Sequence, residues 1–344
     1  MVLTRGARIT GAVLCALLAV IVAGWIVRDL TVVGGPVYLV RYWVGYDART
    51  SSMPVTSAED VTLLVVYVVA AVASLRSAVA ATALVATGAV TIAVRLPGIW
   101  TIGGSGMSAR FSDDLRTRAL ICAFAALAGG IALFITAGAG RRPSLDFAES
   151  TPTRPGTGVS VTTFLLLGAS GAVTIGWEIR QLVRFPRIFP EWYVGGTQVF
   201  QRLIGPPPGW SDLLIVLLCL FVAVSALFRA VHARPFGLIA AGLLVTGGVT
   251  GVVHSVHYRL LAHFADLSIE DQLTVATWFF QLAASATVLV VLAQRGTVQS
   301  PGPHHPGFGP GFGPGYGPGY GPGYGYPPPG AFGPPPPSQP PPGW

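Results

Sequence analysis

Three histidines, His254, His257 and His263, fall in one short stretch just ahead of Asp266, Glu270 and Asp271. His254 and His257 are three apart, a spacing that puts both imidazoles on one helix face. Imidazole nitrogens and carboxylate oxygens are the donors a divalent metal takes, and Zn²⁺ wants four of them. No HExxH pattern accompanies them, and the position matching His254 earlier in the chain is Arg95. The three are therefore candidate ligands set against ordinary histidines at a helix end.

Arg28 with Asp60, and Arg180 with Asp212, form a second candidate set. Each arginine ends an apolar run and each aspartate opens the next one on the same side, so two ion pairs are expected. The aspartates also suit helix N-caps. Such pairs would fix helix ends, and exposed ones contribute only about 0–1 kcal/mol. Chemistry beyond structure finds little to work with. No ionisable residue lies near the middle of an apolar run, where pumps and proton-coupled carriers need one. No nucleotide-binding or hydrolase motif occurs, and Gly103-Gly104-Ser105-Gly106 reads as a flexible turn. No enzyme and no cofactor are expected. Cys15, Cys122 and Cys219 each sit inside an apolar run and read as small buried hydrophobes.

The elements that must carry these residues are membrane helices. Charged residues make up 10% of the chain against 52% hydrophobic, too few to cover a soluble globule. Eight segments lack Asp, Glu and Arg: 9–27, 61–75, 77–94, 119–140, 158–177, 213–228, 236–253 and 272–294. About 20 apolar residues cross a hydrocarbon core, and continuous runs without two-residue alternation exclude a barrel. The expected fold is all-α and polytopic, with eight transmembrane helices and the lipid bilayer as first partner. The first run, behind Arg5 and Arg8, is longer than a signal-peptide core and is expected to be retained.

The runs pair off at long range. Gly24-Trp25-Ile26-Val27-Arg28-Asp29-Leu30 echoes Gly176-Trp177-Glu178-Ile179-Arg180-Gln181-Leu182, and Asp60 echoes Asp212 at the same offset of 152. Thr87-Gly88-Ala89-Val90-Thr91 echoes Thr246-Gly247-Gly248-Val249-Thr250. Two tandem four-helix repeats follow: residues 1–140 and 158–295, joined by a cytoplasmic linker at 141–157. An even number of spans per copy sets both the same way up, related by an axis along the membrane normal. Gly24 and Gly176 are expected to permit close helix approach, with Trp25 and Trp177 as interfacial anchors.

The 21 basic residues are all arginine, and asparagine is absent too, as a GC-rich bacterial genome would give. The net charge of +7 therefore does not call for nucleic acid. Arginine density is higher in the short loops, which places both termini in the cytoplasm of a bacterial plasma membrane. The long loops on the other side are aromatic: Tyr38, Tyr42, Trp43 and Tyr46 in one, Phe185, Phe189, Trp192, Tyr193, Phe200 and Trp210 in another. They are expected to cap the bilayer interface, or to shape a binding surface.

From residue 296 the composition changes. Of the residues 301–344, 17 are Pro and 14 are Gly, so the segment is expected to be disordered. Phe308, Phe312, Tyr316, Tyr320 and Tyr324 recur every fourth residue and could make many weak contacts with a cytoplasmic protein. Two functions from different classes follow. One is a non-catalytic membrane protein whose tail recruits or clusters partners. The other is a small-solute transporter or channel-like carrier with its site between the repeats. A polar cavity between the halves favours the carrier, and a dry interface favours the first. Nothing in the sequence specifies an oligomeric state.

Overall fold

The computed structural model describes residues 2–45, 53–77, 79–142 and 156–294. The tail beyond residue 296 and most of the linker lie outside these, as does Tyr46. Eight helices are long and apolar enough to cross a membrane, the architecture of a multi-pass membrane protein. In chain order they are α1 (Arg5–Val33), α3 (Ala58–Arg76), α4 (Ala80–Arg95) continued by the short α5 (Gly98–Thr101), α7 (Asp113–Ala139), α8 (Thr157–Arg184), α10 (Pro208–Leu227), α11 (Ala233–His257) and α12 (Ile269–Ala293). Short helices α2 (Pro36–Val44), α6 (Ser105–Ser108) and α9 (Phe189–Val194) lie in the long loops. These loops share one side, called the loop side below. Among the described residues the only strand pairing is a two-residue bridge. It joins β1 (Val2–Leu3) to β2 (Arg141–Arg142), tying the start of α1 to the end of α7.

The helices outrun the charge-free segments that announce them. At 29 residues, α1 is about 43 Å long against a core of about 30 Å. Its last turns, with Arg28 and Asp29, therefore reach beyond the hydrocarbon. Backbone bonding continues there until Gly34, whose φ of 81° lies in the left-handed region and ends the helix. Helix starts are signalled locally. Thr4 Oγ1 accepts from Ala7 N at the head of α1, and Ser268 Oγ from Asp271 N at the head of α12. Asp113 and Asp114 sit in the first turn of α7, where the helix dipole favours negative charge.

Packing has the same partner pattern in both halves. Helix α1 packs on α3 and α7, α3 on α4, and α4 on α7. Helix α8 packs on α10 and α12, α10 on α11, and α11 on α12. The halves meet where α11 lies against α2, α3 and α4, with α10 touching α4. A hydroxyl pair, Thr62 with Thr246, bridges α3 and α11.

Close approaches do not occur at the expected glycines. A Cβ on Gly24 or Gly176 would meet nothing, because both face outward. The tight crossings are elsewhere. A Cβ on Gly88 of α4 would fall 2.8 Å from the Gly130 carbonyl oxygen of α7, and one on Gly248 of α11 would fall 2.8 Å from Leu282 N of α12. The loop-side core of the first half is completed by the second. Leu203 and Ile204, from the loop before α10, are buried with Val55, Ile102, Met107, Phe111 and Ala123.

Candidate functional site

The loop-side ends of α1 and α3 are built on two buried carboxylates. Asp29 is fully buried, and its Oδ2 accepts from Val55 N (2.9 Å), Thr56 N (2.8 Å) and Thr56 Oγ1 (2.6 Å). Its Oδ1 takes Arg28 Nη1 at 2.7 Å. Asp60 Oδ2 accepts from Ser57 N (2.8 Å) and Ser57 Oγ (3.1 Å), so Ser57 is the N-cap of α3 and Asp60 reaches back to it from the third helical position. Asp60 Oδ1 then receives Arg95 Nη2 at 2.8 Å, while Arg95 Nη1 donates to the Ile204 carbonyl at 2.6 Å.

The expected pairings are thus redrawn. Asp60 pairs with Arg95 from the end of α4, and Arg28 pairs with its own neighbour Asp29. In the second half Arg180 pairs with Glu270 at the head of α12, and Arg184 approaches the same carboxylate at 3.5 Å. Asp212 lies beside Glu178, and the two carboxyl groups can bond only by sharing a proton. Glu178 also accepts from Trp192 Nε1 at 3.2 Å and from the Tyr193 hydroxyl. Burial, then the bond to Glu178, holds the Tyr193 phenol above its usual range. The physical reason for the redrawing lies in two unmatched positions. His254 stands where the first half has Arg95, and Glu178 stands where it has Ile26.

The three histidines do not converge on a metal. His254 packs on Tyr258 (4.5 Å between ring centroids) and Trp278 (5.8 Å), His257 packs on Tyr258 (4.9 Å), and His263 lies 3.9 Å from Asp266. Among the described residues no three His, Cys, Asp or Glu side chains form a group able to hold an ion. The imidazoles of His254 and His257 make tilted or edge-on ring contacts at the end of α11.

The aromatic loops point much of their polarity inward. Trp210 Nε1 donates to the Ala93 carbonyl (2.7 Å) and Trp100 Nε1 to the Val194 carbonyl (3.0 Å), so each half's loop is bonded to the other. Arg202 lies over the Tyr42 ring at 5.7 Å, and its Nη2 approaches the Trp43 carbonyl at 3.4 Å. Burial raises the Tyr42 phenol above its usual range, and the nearby Arg202 partly opposes this.

Between these loops lies a polar cavity of about 250 Å³ with walls from both halves. Trp43, Ser57 and Glu59 face it from the first half, and Arg202, Thr250, His254 and Trp278 from the second. Trp43 Nε1 and Arg202 Nε, on two of the lining residues, are buried with no hydrogen-bond partner among the described residues. Unmade bonds of this kind cost about 1–3 kcal/mol each, so native proteins seldom retain them without a partner. Glu59 lies in the field of its neighbour Asp60, and then of Arg202 and Arg95, and makes no hydrogen bond among the described residues.

Below it, toward the opposite membrane side, an apolar groove of about 330 Å³ runs between α3, α4 and α11. Val66, Ala70, Leu238, Ile239 and Leu289 are among its walls. Sequence reasoning located the loops but missed Glu59, Arg95, Arg202 and Asp29 as site residues. The available signal was their position, since each is a charge within a turn or two of an apolar run or within the aromatic loop. No family model, curated protein or solved structure matches the chain.

Proposed function

We propose that this is a non-catalytic membrane protein of the carrier class that holds a small ligand between two four-helix halves. The observation that carries the reading is the cavity walled by both halves, which brings Glu59 of the first and Arg202 and His254 of the second to one space. The duplication belongs to the same reading. The matched packing partners of α1, α3, α4 and α7 with α8, α10, α11 and α12 support tandem parallel repeats, an arrangement many carriers use with the site at the repeat junction.

The ligand is tested by thermal unfolding of the full chain in mild detergent, with fractionated membrane and cytosol extracts added. A ligand at 100 times its Kd stabilises by about 2.7 kcal/mol. At least one fraction is expected to raise the Tm of the wild type and not that of Arg202→Gln. No shift with any fraction, or equal shifts in both proteins, would contradict the reading.

Cytoplasmic termini in a bacterial plasma membrane remain part of this proposal, supported by arginine density in the short loops. So does partner recruitment by the tail, carried by the spacing of its aromatic residues. Replacing Phe308, Phe312, Tyr316, Tyr320 and Tyr324 with Ser is expected to change cellular distribution or co-purifying proteins. Unchanged distribution and partners would remove the tail from the function.

A further inference from the structure

The polar cavity and the apolar groove are stacked on the same two helices. On α3 the cavity takes Ser57, Ala58 and Glu59, and the groove begins at Thr62. On α11 the cavity takes Thr246 to His254, and the groove begins at Gly242. Three or four residues of helix rise separate the two spaces, about one turn. The Thr62–Thr246 hydroxyl pair bridges α3 and α11 at that level, so a molecule that fills both spaces has to pass beside it or part it. We infer that the two form one site for an amphiphile, a phospholipid with an amine-bearing head, its head in the cavity and one acyl chain in the groove. The inference rests on the reading of the cavity as a ligand site and names its ligand class.

Each part of such a molecule meets a matching group. Phosphate oxygens are acceptors for the unbonded Trp43 Nε1–H and the Arg202 guanidinium, whose fork of donors suits phosphate. The head-group ammonium meets the Glu59 carboxylate, to which no group among the described residues donates, in a space also lined by Trp43 and Trp278. A simple anion would leave Glu59 facing like charge. A simple amine would leave Arg202 and Trp43 unbonded.

The groove fits a chain in length, polarity and access. From Thr62 to Ala73 it follows α3 for about 16 Å across the middle of the span, about half of the roughly 30 Å hydrocarbon core, and ends beside Arg234 at the start of α11. Its middle is aliphatic. Val65 and Val69 on its edge are 55% and 57% exposed, so the groove opens sideways to where lipid lies. A chain can enter from the bilayer without crossing the polar cavity.

Native mass spectrometry of the full chain, delipidated in mild detergent and titrated with lipid, tests the site. The probes are phosphatidylethanolamine, phosphatidylglycerol and inorganic phosphate, with helicity by circular dichroism as the fold control. Phosphatidylethanolamine is expected to bind at least tenfold more tightly than phosphatidylglycerol, and inorganic phosphate not to be retained. Arg202→Gln is expected to weaken phosphatidylethanolamine at least tenfold. Glu59→Gln is expected to erase the preference between the two lipids, and Leu238→Trp, which fills the groove, to weaken both.

Equal binding of the two lipids by the wild type overturns the amine assignment. Retention of inorganic phosphate at the lipid level, or lipid binding unaffected by Leu238→Trp, overturns the two-part site. If only a non-lipid extract component stabilises the protein in an Arg202-dependent way, the carrier reading stands and the lipid assignment fails. If nothing binds in either experiment, both fail.

Discussion

The loop-side ends of α3 and α10 begin alike and are finished differently. Asp60 and Asp212 stand 152 residues apart, each near the start of a helix. In the first half the carboxylate is locked by Arg95, which itself is anchored on a carbonyl from the other half. In the second half the acid lies beside another acid, Glu178, and the position of the missing arginine is taken by His254 on the wall of an open cavity. One end is closed by a desolvated ion pair, and the other by the Glu178 carboxyl group, bonded to Trp192 and Tyr193, while His254 lines a cavity whose α3 wall is Ser57 and Glu59. Matching landmarks in sequence therefore do not imply matching partners. Two differences, His254 for Arg95 and Glu178 for Ile26, separate the two ends.

That contrast breaks first at the lock. Arg95 and Asp60 have side chains only 7% and 3% exposed. Removing one partner leaves the other buried and unpaired, so Arg95→Ala is expected to cost about 3–5 kcal/mol in denaturant unfolding. A loss below 1 kcal/mol would mean the pair does not hold the first half closed. Asp29→Ala comes next. It strands the Val55 and Thr56 amides in a fully buried place, and bonds to a charged acceptor are worth about 1.5–3 kcal/mol, the loss expected from the same measurement.

The echoed glycines sharpen the comparison further. Gly88→Ala presses a methyl group against the Gly130 carbonyl and is expected to cost about 1–3 kcal/mol. At its echo, Gly247, a Cβ meets nothing, so Gly247→Ala should leave Tm unchanged or raise it slightly. Equal losses at both would show that the echoed glycines face alike, against the close approach of α11 to α12 lying one residue on, at Gly248. The smallest effect belongs to Arg180→Ala. Its pair with Glu270 is about one-third exposed on each side, so solvent screening limits the loss to no more than about 1 kcal/mol.

What the sequence made legible follows from what each signal depends on. The eight spanning helices were readable because length and hydrophobicity are local, and each has a continuous apolar run behind it. Helix starts were half readable. Asp60 was placed at the head of α3 correctly, but Ser57 is the cap and Asp60 reaches back to it. Partner choice was not readable. Whether Asp60 meets Arg28 or Arg95 depends on the rotation of α1, α3 and α4 about their axes, which packing sets. The cavity was hidden for a stronger reason. Its Arg202 and Glu59 come from segments over 140 residues apart that the loop before α10 brings together by crossing to the other half. The aromatic residues of that loop signalled a surface, and their inward bonds became visible only with the fold.

The central claim is that the cavity between the halves is a ligand site. An experimental density map of the full chain in lipid nanodiscs tests it most directly. The account predicts non-protein density within hydrogen-bond reach of Trp43 Nε1 and Arg202 Nε, beside Glu59, and continuing past Thr62 into the groove. A cavity without such density, in which both donors bond protein groups instead, would contradict it.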